Sequence, residues 1–256
     1  MERCGRGRRG LAPEEVRADG PWSGGGDGMA TDVAAALFDV DGTLVDTVYL
    51  HTLAWWQALA QYGHEVDAAR IHRAIGMGSD HLLDHLLGED RDRSEDDALD
   101  AAHLALYAQH WPGLRAFPGA GDLLRECDRR GWRVVLSTSA SGRELDVLRR
   151  VLDADDAVYA VTDSDGVDAS KPAPDLVQRA LEQAGAAAER SVFVGDSVWD
   201  VQAAGRAGTP CVGVETGGFA AAELRGTGAV EVHPSVGALL ERLDRSALAH
   251  PAAGER

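Results

Sequence analysis

The chain has 256 residues, of which 45% are hydrophobic and 26% charged, the proportions of a globular domain with a sizeable core. Its formal net charge of −17 excludes a general nucleic-acid surface, because the whole field repels phosphates; small anions stay open where a metal and local cations reverse the sign in one cleft. No apolar run approaches the roughly 20 residues that cross a bilayer, and the three cysteines (Cys4, Cys127 and Cys211) form no CxxC, which points to a reducing cytoplasm.

Residues 1–30 are rich in Gly, Arg and Pro and lack periodicity, so they are expected to be a disordered leader. The Arg-rich start has no apolar stretch behind it and is not a secretory signal. Met29 opens "MATDVAAALFDVDGT" and is the expected start of the folded part, which makes residues 1–28 dispensable. "AAALFD" (34–39) reads as a buried strand. The interval 47–116 then holds helical patterns only: "TVYLHTLAWWQALAQYG", "ARIHRAIG", "SDHLLDHLLG" and "RSEDDALDAAHLALYAQHW". "FPGAG" leads back to a strand–helix alternation. Its strands are "WRVVLST" (132–138), "AVYAVTD" (157–163), "SVFVGD" (191–196) and "CVGVET" (211–216), with helices between most of them. The segment from Ala247 is expected to be an unstructured tail. This alternation predicts an α/β fold with a doubly wound, Rossmann-like parallel sheet over residues 31–46 and 117–246. Residues 47–116 are an inserted all-α cap.

Acidic side chains fall at the C-terminal ends of the strands, where open α/β sheets bind ligands. Asp39 and Asp41 follow the first strand two residues apart, a spacing that puts both carboxylates on one side of an extended segment. Asp196 ends "SVFVGD", and Asp200 stands at the start of the next helix. Thr138 and Ser139 end the second strand. Lys171 follows the third and is the only lysine among 25 Lys and Arg residues. One carboxylate at a strand end is usually a helix cap. Several converging on one crevice need a cation between them, and hard oxygen donors suit Mg²⁺.

The order "DVDGT", "VVLSTS", "SKPAPD", "VFVGDSVWD" resembles the four motifs of the haloacid dehalogenase superfamily. The insert between the first and second motifs resembles the branch of phosphoglycolate phosphatase and beta-phosphoglucomutase. On that resemblance Asp39 is the nucleophile that forms an aspartyl-phosphate, and Asp41 the general acid–base. Thr138 and the Ser139 amide bind phosphoryl oxygens. Lys171 bridges nucleophile and phosphoryl group. Asp196 joins Asp39 and the Asp41 carbonyl around Mg²⁺, and Asp200 orients the metal shell. Dehalogenases of this fold lack an acid at the position of Asp41, so its presence favours phosphoryl transfer.

"DTVYLHTLAWWQAL" resembles the start of the mutase cap, where the positions of His51 and Trp55 face the active site; Trp55 and Trp56 equally suit the cap's own core. Against a mutase, Ser79 stands where the mutase offers a phosphate-binding arginine, and the fourth motif has Gly-Asp rather than Glu-Asp. His81 and His85 have the spacing of a zinc pair, but Leu82, Leu83, Leu86 and Leu87 define the apolar face and leave the histidines on the wet one. Arg70 and Arg73 are expected on the surface. The leading expectation is a cytoplasmic, Mg²⁺-dependent phosphatase for a small-molecule phosphate monoester, with no nucleic-acid or membrane partner. A sugar phosphomutase is the enzymatic alternative. A phospho-accepting receiver domain is a third, disfavoured because a cap would close its site to a partner protein.

Overall fold

The computed structural model describes residues 33–163 and 169–251; the expected leader and residues 252–256 lie outside them. By contacts the chain divides after Ala30, and everything below belongs to the unit Thr31–Arg256. Strand β1 (Ala35–Phe38) is followed by helices α1 (Val48–Gln61), α2 (Ala68–Ala74), α3 (Ser79–Leu87) and α4 (Asp96–Ala108). Then come α5 (Ala120–Arg129), β2 (Arg133–Ser137), α6 (Gly142–Leu152), β3 (Ala160–Thr162) and α7 (Asp175–Ala184). The chain ends with β4 (Val192–Gly195), α8 (Val198–Arg206), β5 (Cys211–Val214), α9 (Ala221–Thr227), β6 (Glu231–His233) and α10 (Val236–Glu241).

The six strands form one parallel sheet in the order β3-β2-β1-β4-β5-β6. Side chains alternate across it, as the period of two requires. Ala36 and Phe38 pack with α5, α6 and α10 through Leu123, Leu148 and Leu239. Ala35 and Leu37 pack with α7, α8 and α9 through Val177, Val201 and Leu224. Both faces are therefore dry, which explains why the strands read as continuous apolar runs. The strand order reverses between β1 and β4, so their C-terminal ends flank the crevice at the switch point.

Helices α1–α4 have a core of their own, in which Leu59, Ile71, Leu82, Leu83 and Leu99 are buried. It is fastened to the sheet domain by polar contacts from α2. The Trp199 indole donates to the Arg73 carbonyl (3.0 Å), and His72 Nε2 lies 2.9 Å from the Gly217 carbonyl. Among the described residues no helix is long and apolar enough to cross a membrane.

Two expectations need correction. The tail is packed as far as Leu248, which is fully buried; the Trp132 indole donates to its carbonyl and Arg130 to that of Ala249. A single apolar residue has no periodicity to betray it, and both anchoring donors sit far away in sequence. The sheet also has a sixth strand, β6. Its "EVH" mixes charge with one apolar residue because it is an edge strand, paired with β5 alone.

Candidate active site

Asp39 directly follows β1 and Asp196 directly follows β4, so the switch point brings them together. The Thr43 hydroxyl lies between them, 3.1 Å from Asp39 Oδ2 and 2.7 Å from Asp196 Oδ1. Asp200 arrives from the first turn of α8, where it forms a capping box with Ser197. Its Oδ2 accepts from the Ser197 backbone N–H (3.1 Å), which leaves Oδ1 to pair with Lys171 at 2.8 Å. The Lys171 ammonium also pairs with Asp39 Oδ1. All four charged groups are buried.

Burial pushes the Asp39 carboxyl up to about 7, helped by the charges of Asp200 and Asp41 and opposed by Lys171. Asp196 is held well above the carboxylate range, first by burial and then by repulsion from Asp200 and Asp39. For Lys171, burial works against the charge, but the carboxylates of Asp200 and Asp39 outweigh it and raise the pKa. Three carboxylates with ligand atoms within 4.8 Å of one another face one ammonium, a surplus of two negative charges. All the donors in this set are hard oxygens, and the surplus equals the charge of a divalent cation. The residues fit such an ion.

Asp41 turns the other way, towards the insert. Its Oδ2 accepts from the Thr138 hydroxyl (3.3 Å), and its Oδ1 lies 3.4 Å from His51 Nε2 on α1. Burial pushes Asp41 up, but the hydrogen bond and charge of His51, with hydrogen bonds from Thr47 and Thr138, outweigh it. Asp41 therefore stays below the usual carboxylate pKa. Desolvation lowers the partly buried His51, yet Asp41 and Glu144 raise it above the ordinary histidine value. This pairing favours a protonated His51 beside an ionised Asp41.

The sequence patterns did not single out Glu144, on α6, or His103, on α4. Glu144 Oε1 lies 3.8 Å from His51 Nε2, and burial with the Asp41 charge pushes its carboxyl up to about 7. His103 Nε2 lies 3.1 Å from His51 Nδ1, and its ring stacks on Trp55 at 4.2 Å. Glu144 reads as an ordinary first-turn acid of a helix, and His103 as one histidine among seven in the insert. Only the approach of α4 and α6 to α1 makes them neighbours. Trp55 is buried in the insert's core and lines the cavity above Asp39 and Asp41. Ser139 lines the same cavity. His81 and His85 do not join a group able to hold a metal among the described residues. Arg70 donates to the Leu86 carbonyl, and Arg73 pairs with Glu223 on the surface.

Two glycines make room for the cluster. Gly42 turns the chain at φ 85°, a conformation side chains rarely adopt, directly after Asp41. A Cβ on Gly217 would stand 1.7 Å from Asp196 Oδ2. Gly217→Ala is accordingly expected to displace Asp196 and lower stability by about 1–3 kcal/mol. Its thermal stabilisation by divalent cation should shrink with it, which melting curves with and without the ion would measure.

A parallel α/β sheet whose switch point gathers three carboxylates and a lysine, under a helical insert that brings the His51 imidazole to Asp41 and Glu144, fits the class of phosphoryl-transferring hydrolases. Residues 33–208 match the haloacid dehalogenase-like hydrolases, and the chain belongs to that family. It is a phosphatase. It is 33% identical over 187 residues to a phosphoglycolate phosphatase of Pseudomonas syringae pv. syringae, covering 71% of this chain and 69% of that one. A phosphoglycolate phosphatase of Rhodospirillum rubrum is 30% identical over 207 residues, covering 77% and 86%. The crystal structure of a hydrolase from Pseudomonas syringae superposes with a TM-score of 0.78 at 32% identity, covering 82% of this chain and 98% of that one.

Proposed function

We propose that the chain is a cytoplasmic, Mg²⁺-dependent phosphatase that hydrolyses a small phosphate monoester through an aspartyl-phosphate on Asp39. The observation that carries this is the division of labour between two aspartates on one turn. Asp39 is held by Lys171 beside the carboxylate cluster, while Asp41 is held by His51 and Thr138 on the cavity side. Asp39, Asp196 and the Asp41 carbonyl would hold Mg²⁺, with Asp200 orienting the shell. When bound, the ion supplies the positive charge that lets a dianionic phosphate approach a carboxylate.

In the first step an Asp39 oxygen bonds to phosphorus as the bond to the substrate alcohol breaks. The alcohol leaves with the proton stored on the Asp41–His51 pair. Asp41 then takes a proton from water, the water oxygen attacks phosphorus, and phosphate departs with Asp39 regenerated. Thr138, with the Ser139 amide, and Lys171 bind the phosphoryl oxygens during both steps. The buried, unbridged Cys127 and Cys211 support a reducing compartment. The relatives' names suggest phosphoglycolate, and the mutase-like insert suggests sugar phosphates. Against a mutase, Ser79 in the cavity wall donates to Asp100 and offers no second phosphate clamp.

The experiment is phosphate release from a panel of monoesters that includes p-nitrophenyl phosphate, with Mg²⁺ and with a chelator. Release that vanishes on chelation and returns with Mg²⁺ is expected. Release indifferent to chelation would overturn the metal-assisted mechanism.

A further inference from the structure

We infer that the substrate's leaving group is a small alcohol bearing hydroxyl or amine donors and no negative charge, and that Asp100 selects it. The inference rests on the phosphatase reading above. The cavity over Asp39 and Asp41 measures about 240 Å³. That is below the roughly 300–1,000 Å³ of pockets that take drug-sized ligands. Its far wall is built by the insert and α6, from apolar Trp55, Leu82 and Leu104 and the carboxyl-bearing Asp100 and Glu144.

Among the described residues no lysine or arginine of the insert or α6 lines that wall. Among the described residues, Lys171 is the only lysine or arginine that lines the cavity, and it is engaged by Asp39 and Asp200. The segment 164–168, of sequence SDGVD, contains no basic residue. His51 has both nitrogens occupied, Nε2 facing Asp41 and Glu144 and Nδ1 facing His103. His103 is held well below the ordinary histidine pKa by burial and by His51, so it adds no positive charge.

Asp100 lines the cavity and keeps spare acceptor capacity. The Ser79 hydroxyl donates to its Oδ2 (3.1 Å), while its buried Oδ1 has no hydrogen-bond partner among the described residues. An unsatisfied buried acceptor favours a ligand that brings a donor. A carboxylate or second phosphate would instead meet the carboxyl groups of Asp41, Glu144 and Asp100, with His51 already engaged by two of them. A carboxylate-bearing monoester, the kind named by the curated relatives, is thus the poorer fit to this chain.

The test compares kcat/KM, with Mg²⁺, for 2-phosphoglycolate, glycerol 1-phosphate and phosphoethanolamine, beside p-nitrophenyl phosphate. The better of the two donor-bearing esters is expected to exceed 2-phosphoglycolate by at least about tenfold, or about 1.4 kcal/mol. Asp100→Asn, which keeps the shape, should shrink that ratio, and Asp100→Lys should reverse it. Ser79→Ala, which frees the Asp100 carboxylate, should shrink it less. Circular dichroism melts confirm that each variant is folded. Equal or better turnover of 2-phosphoglycolate by the unaltered protein would overturn the inference while leaving the phosphatase reading intact. An unchanged ratio in folded Asp100→Asn and Asp100→Lys would overturn the part assigned to Asp100. Absence of turnover on every ester, p-nitrophenyl phosphate included, would overturn the phosphatase reading itself.

Discussion

Asp39→Asn is expected to abolish phosphate release, by at least about 10⁴-fold, the scale on which losing a nucleophile from a concerted catalytic group is felt. The variant is nevertheless expected to fold and to gain stability at neutral pH and above. The amide keeps the shape of the carboxylate, and Lys171 keeps its pairing with Asp200 at 2.8 Å. What disappears is a buried negative charge that its surroundings disfavour. In the metal-free protein the Asp39 pKa is raised from 3.8 to about 7, so the folded state binds this proton more tightly than the unfolded one. Stability contributed by that carboxyl is therefore lost as pH rises from about 4 to about 7, and asparagine removes the loss. Thermal melts in chelator at pH 5 and pH 8 should show a smaller fall for the variant than for the unaltered chain. Turnover that persisted in the variant would remove Asp39 from the nucleophile's place. A collapse of the melt at both pH values would mean that Asp39 serves the fold.

The part of the site that lies at strand ends is legible in the sequence, because a buried parallel strand is a short apolar run with a defined end. Asp39, Thr138 and Asp196 each stand at such an end, and Asp200 at the helix start that follows one. Lys171 stands out by composition. The alternation of Ala35, Ala36, Leu37 and Phe38 across the sheet could not be read as alternation, since both faces are dry. The strand was identifiable only by length and flanking chemistry. Edge strand β6 and the short helices α9 and α10 carry weaker patterns because they bury less.

The insert is less legible for a different reason. Its helices are evident, but a helix pattern says which side is apolar and not which of its polar residues another helix will meet. Asp100 and His103 lie one turn apart on α4, and each looks like a solvated residue until α1, α3 and α6 close around them. Thr43 is hidden similarly inside "DVDGT", where its hydroxyl reads as turn chemistry rather than as the link between Asp39 and Asp196. The carboxylate cluster is legible at strand ends, whereas the insert's share of the cavity lining depends on how helices meet.

Lys171→Arg is expected to lose at least about a hundredfold in kcat/KM while keeping the positive charge. The chain has 25 Lys and Arg residues and one lysine, so 25 − 1 = 24 are arginine, and the exception sits where two carboxylates converge. Its ammonium pairs with Asp39 Oδ1 and Asp200 Oδ1 from a position that is 5% exposed, with the Phe193 ring 5.7 Å away. Two opposite charges about 4 Å apart attract by roughly 4 kcal/mol at an effective dielectric of about 20, and arginine would supply the same charge. The shapes differ. An ammonium is a compact point with three rotatable donors, whereas a guanidinium is a broad planar fork. In a buried cluster already holding Asp39, Asp196, Asp200 and Thr43, the wider head is expected to displace Asp39 or the phosphoryl group. A displacement of about 1 Å costs roughly a hundredfold in rate. Lys171→Met provides the contrast, because it removes the charge and leaves Asp39 and Asp200 without their cation. That variant should lose both activity and metal-free stability, whereas the arginine variant should lose activity out of proportion to any change in its melt. Steady-state kinetics alongside melting curves separate the two. Near-full turnover with arginine would show that charge alone is required at this position, and that the single lysine has no geometric cause.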